Sequence, residues 1–129
     1  MKSPKLPRPT DSELDILRVL WNRGPSTVRD VFEDLNQTKP TGYTTVLKLM
    51  QIMAEKNLVR RNEKNRAHVY EARLPEEQTQ NQLVGDLLDR AFGGSASRLV
   101  MRALSNTRTS AEDLSEIRRI IDGMQENAK

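Results

Sequence analysis

The apolar positions of this chain fall into helical registers along most of its length. Leu14, Leu17 and Trp21 stand at i, i+3 and i+7, with Ile16 and Leu20 widening the stripe. Thr10 and Glu13 ahead of that stripe form a capping-box pair, and Gly24-Pro25 ends the run. Val28, Val31, Phe32 and Leu35 repeat the pattern in a second helix, opened by Ser26 or Thr27 as N-cap and stopped by Lys39-Pro40. A third helix is expected over 41–56. It buries Val46, Leu49, Met50 and Met53 and shows Tyr43, Thr44, Lys48, Gln51 and Glu55 on the opposite face. Asn57, which tolerates left-handed backbone, is its expected terminator.

The period then changes. Residues 58–62 and 67–71 are two short strand-like runs around the polar turn Glu63-Lys64-Asn65-Arg66, a hairpin signal. From Leu74-Pro75 onward the helical period returns. A fourth helix carries Leu83, Val84, Leu87, Leu88, Ala91 and Phe92 and closes at Gly93-Gly94. A short fifth, capped by Ser95, holds Leu99, Val100 and Leu104 before a polar loop at Ser105-Asn106-Thr107. A sixth opens at Ser110 and Asp113 and continues through Leu114, Ile117, Ile121 and Met124, a three-four-three spacing suited to a helix–helix seam.

Three short helices followed by a basic-tipped hairpin is the order of a winged helix-turn-helix. The expected fold is therefore mainly α: a winged helix-turn-helix of three helices plus a β-hairpin wing, followed by a helical dimerisation region. The division expected is a flexible basic arm over 1–5, the winged-helix domain over 6–75 and the dimerisation region over 76–129. Lys2, Lys5 and Arg8 lie among prolines in the first nine residues, where little can be buried. The last 54 residues (76–129) are too few to bury a stable core alone. A second copy of the chain is the expected partner, the alternative being a helical hairpin folded back on the winged helix.

Composition narrows the chemistry. The 129 residues contain no cysteine and one histidine, so disulfides and thiolate metal sites are excluded and no metal or cofactor is expected. No apolar run approaches the ~20 residues of a transmembrane helix and no signal peptide is evident, so a cytoplasmic protein without membrane insertion is expected. Residues 1–75 carry 14 Lys/Arg against 9 Asp/Glu, whereas 76–129 carry 7 against 9. A basic first part suggests a polyanionic partner.

Catalysis finds no support, because His68 has no recognisable nucleophile or orienting partner and no phosphate-binding glycine loop is present. No catalytic residue is assigned. Reading of double-stranded DNA needs short polar and long basic groups on the first turns of a helix, flanked by phosphate donors. Tyr43, Thr44, Thr45 and Lys48 supply the first, and Arg60, Arg61, Lys64 and Arg66 of the wing the second. Plainer roles exist for several of them. Thr41 and Thr44 could cap the third helix, Lys48 could be a solvated surface lysine, Arg61 could pair with Glu71 across the hairpin, and His68 could pack or hydrogen-bond in the wing. The dimer interface is expected at Leu83, Leu87, Leu88, Leu99, Val100, Leu104, Leu114, Ile117, Ile121 and Met124.

Several motifs together resemble the penicillinase repressor (BlaI/MecI) family. They are Pro9-Thr10-Asp11-Ser12-Glu13-Leu14 with Leu20-Trp21, Tyr43-Thr44-Thr45-Val46, and Glu55-Lys56-Asn57-Leu58-Val59. Further along stand His68-Val69-Tyr70 and Phe92-Gly93-Gly94-Ser95. The resemblance implies a homodimeric transcriptional repressor on a palindromic operator, controlling antibiotic-response-like genes and relieved through a membrane sensor peptidase. It places Thr44, Thr45 and Lys48 in the base-reading segment and Arg61, Lys64 and Arg66 in the wing. The chain departs from the pattern at Leu47, Ile52 and Asn57. Arg102-Ala103 replaces the family's Asn-Phe cleavage bond, and the Cys-x-Cys motif of copper-responsive relatives is absent. The rival functions are a winged-helix regulator sensing a small ligand directly and a winged-helix protein-assembly module.

Overall fold

The computed structural model describes residues 8–64 and 66–128. Lys2 and Lys5 of the expected arm and Asn65 of the hairpin turn lie outside the described residues. Backbone packing divides the chain into two compact units, Met1–Gly85 and Asp86–Lys129.

In the first unit, α1 (Asp11–Arg23) starts at the expected capping box. The Thr10 hydroxyl accepts the Glu13 amide at 3.3 Å, and Glu13 Oε1 accepts the Thr10 amide at 2.9 Å. Gly24, at φ 89°, ends the helix in backbone that only glycine adopts cheaply. Thr27 caps α2 (Val28–Asn36) through a reciprocal pair with Asp30. Ser26 and Thr27 also form a strand, β1, which the sequence pattern did not indicate. Two residues are too short to show a period; their pairing with a distant strand defines them.

Helix α3 (Tyr43–Glu55) is shorter than the expected 41–56 and begins after Gly42, with no side-chain cap. The threonines therefore do not cap it. Thr41 instead donates its hydroxyl to the Lys39 carbonyl at 2.9 Å and its amide to Asn36 Oδ1 at 3.1 Å. Val46, Met50 and Met53 are fully buried, whereas Leu49 is only half-buried at the margin of the core. Asn57 adopts φ 63° and turns the chain into the hairpin.

Strands β2 (Val59–Asn62) and β3 (Val69–Ala72) are antiparallel, and the sheet order is β1-β3-β2. The wing hairpin is thus part of a three-stranded sheet. Its core face contributes Val59 and Tyr70, which pack with Leu58, Ile16, Leu17 and Leu20 of α1, Val28 and Val31 of α2, and the α3 residues. The Trp21 indole N–H donates to the Leu74 carbonyl at 2.9 Å, tying the end of α1 to the segment leading into α4 (Glu76–Ala91).

In the second unit α4 ends at Gly93 and Gly94, both at positive φ, with the Gly94 amide returning to the Leu88 carbonyl at 2.9 Å. Helices α5 (Ala96–Asn106) and α6 (Ala111–Asn127) are capped by Ser95 and Ser110 as expected. Ser105 and Asn106 belong to α5 rather than to a loop. Ser105, Asn106 and Thr107 each return a side-chain hydrogen bond to the carbonyl four residues earlier, which satisfies acceptors at the helix end. No residue of α5 or α6 is buried.

Candidate nucleic-acid interface

The side chains expected to meet DNA come from two places in the first unit. On α3, burial of Val46, Met50 and Met53 fixes the rotation of the helix and leaves Tyr43, Thr44, Thr45 and Lys48 exposed. No acidic residue stands in its first turn. Tyr43 is held at the helix start by Phe32 of α2, whose ring meets it edge-on at 5.6 Å and 77°.

On the wing, Arg60, Lys64 and Arg66 are exposed and make no ion pair with another described residue. Arg61 differs. The register sets Arg60 opposite Glu71 and Arg61 opposite Tyr70, so the expected Arg61–Glu71 pair does not form. Arg61 pairs with Glu63 at 2.9 Å, and the Tyr70 hydroxyl beside it and the Glu63 charge hold its guanidinium above its ordinary pKa. His68 is exposed just before β3 and, among the described residues, makes no hydrogen bond.

Behind this surface lies an ion pair that sequence spacing could not reveal. Glu13, 2% exposed, receives Lys56 Nζ at 2.8 and 3.0 Å on its two carboxylate oxygens. Burial alone would raise the carboxyl pKa. The Lys56 hydrogen bond, the Thr10 amide and the Lys56 charge together hold it below its ordinary value. The pair fastens the start of α1 to the end of α3. The capping-box motif identified Glu13 locally, but its second partner is 43 positions away.

An open groove of about 850 Å³ runs beside α1 and the α2–α3 connection, lined by groups such as Asp15, Trp21, Lys39, Thr45 and Glu76. Its lining is more polar than apolar, unlike the enclosed apolar cavities that usually take small ligands. Among the described residues no cluster of His, Cys, Asp and Glu could hold a metal ion, and no helix is long and apolar enough to cross a membrane.

Comparison with known proteins decides the family. The penicillinase repressor family model matches residues 9–123. The chain belongs to the penicillinase repressor family. Its members are DNA-binding transcriptional repressors and not enzymes. The chain is 22% identical over 118 residues to the penicillinase repressor of Bacillus licheniformis, covering 92% of each protein. It is 43% identical over 67 residues to the transcriptional regulator BlaI of Mycobacterium tuberculosis, covering 51% of this chain and 49% of that one. The solution structure of the DNA-binding domain of the repressor BlaI superposes with a TM-score of 0.51 at 22% identity. That match covers 57% of this chain and 90% of that one. A solution structure of the monomeric Bacillus licheniformis BlaI with a half-operator gives 0.50, also at 22% identity, covering 57% and 89%. Both show a winged-helix fold over the matched part of this repressor.

The helices from α4 onward hold the other expected surface. Leu83, Leu88, Leu99 and Ile117 are half-buried. Leu87, Val100, Leu104, Leu114, Ile121 and Met124 are between 37% and 66% exposed.

Proposed function

We propose that this repressor acts as a homodimer on a palindromic operator, with α3 of each copy in the major groove and the wing on flanking phosphates. The exposed Thr44, Thr45 and Lys48 on the first turns of a helix whose other face is locked into the core carry the reading. Threonine offers a donor, an acceptor and a methyl for the thymine edge, and Lys48 reaches a guanine or a phosphate. Arg60, Lys64 and Arg66 supply sequence-independent attraction, while Arg61 gives up its Glu63 pair to do so. Two recognition helices then stand ~34 Å apart, or a multiple of it.

The dimer is supported by the second unit, whose apolar side chains repeat at helical spacing and stay uncovered within one chain. A second copy covers them isologously. The repressor acts in the cytoplasm, and repression is relieved by a signal linked to a membrane sensor peptidase. Arg102 and Ala103 stand exposed inside α5 in place of the Asn-Phe pair that the family resemblance implies, so proteolytic relief would need a peptidase of different specificity or a cut at a neighbouring bond.

Footprinting the purified protein on the DNA upstream of its own gene, followed by titration of the protected duplex, tests the reading. Thr45→Ala or Lys48→Ala should weaken specific binding by ~1–3 kcal/mol. Lys64→Ala should weaken binding to all duplexes alike. Wild-type affinity in all three variants would refute the assignment.

A further inference from the structure

Arg29 stands one residue into α2, exposed, on the helix that precedes α3. Its guanidinium carbon lies 5.5 Å from the centroid of the Tyr43 ring. Tyr43 is the first residue of α3 and rests edge-on against Phe32, which packs against the core. Two rings therefore connect this arginine to the folded interior and restrict a side chain that is otherwise rich in rotamers.

The surrounding charges leave Arg29 available. Asp30 is engaged by the Thr27 amide and by Arg23 at 3.7 Å, and Asp34 by Arg23 at 4.0 Å. Glu33 approaches Arg29 only at 3.9 Å, with the two side chains 60% and 68% exposed, a pairing that water and salt readily replace. A guanidinium lying over an aromatic face keeps its N–H edge open, and that edge matches two phosphate oxygens at once. In helix-turn-helix proteins the helix before the recognition helix crosses the DNA backbone.

We propose that Arg29 is a DNA-phosphate contact and that Tyr43 is the positioning residue that holds it beside the first turn of α3. The assignment rests on the reading above, in which α3 enters the major groove. It gives Tyr43 a task apart from touching a base, and it adds to the interface a cation from outside both α3 and the wing. The ordering cost of the arginine is met in the free protein, so less is lost on binding.

The test is the salt dependence of binding to the footprinted duplex and to an unrelated duplex. Arg29→Ala should weaken both alike and reduce the slope of log affinity against log salt by about one unit. That is a three- to fourfold smaller loss between ~50 and ~200 mM salt. Arg29→Lys should restore the slope but not the full affinity, because an ammonium lacks the planar fork. Tyr43→Leu should leave the slope near wild type, lower the affinity severalfold, and add little in the Arg29→Ala background. Thermal midpoints of the Arg29 variants should match wild type, since Arg29 is exposed; Tyr43→Leu loses the Phe32 ring contact, so its binding is read well below its own midpoint. A wild-type slope in Arg29→Ala, or simple additivity of the Arg29 and Tyr43 effects, would overturn the proposal. If wild type prefers the footprinted duplex and Thr45→Ala weakens that preference while Arg29→Ala changes nothing, this inference alone fails. If wild type shows no preference between duplexes, the groove reading fails with it.

Discussion

Replacing Lys56 by methionine isolates the ion pair between α1 and α3. The apolar stem is kept, and the Glu13 carboxylate remains buried with the Thr10 amide as its remaining described donor. Removing one partner of a buried pair costs ~3–5 kcal/mol because a charge is stranded. Lys56 is 38% exposed, so solvent already screens its charge and water can take its place; about 2–3 kcal/mol is the better expectation. For a unit of this size that lowers the midpoint of thermal unfolding by roughly 10–20 °C. Glu13→Gln should cost less, because glutamine still serves the capping box without a buried charge, and the double variant should recover part of the loss. The pH dependence has a definite sign. Glu13 titrates below its ordinary value in the fold, so its stabilisation is complete above its unfolded pKa and is lost as pH falls through the lower, folded value. The gap between wild type and Lys56→Met should therefore be widest near neutral pH and shrink as pH falls below the ordinary carboxylate range. Urea unfolding at neutral and at acidic pH measures it. A gap under about 0.5 kcal/mol at neutral pH, or one that widens on acidification, would refute the reasoning.

Two further outcomes are expected. Leu87→Asp with Ile121→Asp should give monomers by sedimentation and sharply reduced operator affinity, because both side chains are about half exposed in one chain and the proposed dimer would cover them; a wild-type monomer at micromolar concentration that still binds tightly would contradict this. Asn57→Val should lose ~1–2 kcal/mol in denaturant titration because φ is 63° there, while Asn57→Gly should stay close to wild type.

The first three helices were legible because each buries one face. The Val46, Met50, Met53 repeat located α3 and its rotation, and with them the exposed Thr44, Thr45 and Lys48. Thr10, Thr27, Ser95 and Ser110 marked their helix starts by local chemistry, which needs no knowledge of the fold. What escaped depends on distant partners. Two residues cannot announce the strand at Ser26, a one-residue shift of register separates Arg61 from Glu71, and the Lys56–Glu13 and Arg29–Tyr43 contacts join different helices. In the second unit the period exposed an apolar face but could not say what covers it.

The sheet order also bears on how the protein behaves away from DNA. β3 is paired on both sides, so β2 presents an outer edge, and a bare edge invites another chain to add a strand. Three of the four β2 residues, Arg60, Arg61 and Asn62, are exposed, and two of these are arginines. Like charges would meet if two such edges came together. The cations proposed to hold phosphate thus also act as a guard against strand-to-strand aggregation, and neutralising them should raise the tendency of the free repressor to precipitate even where its fold is intact.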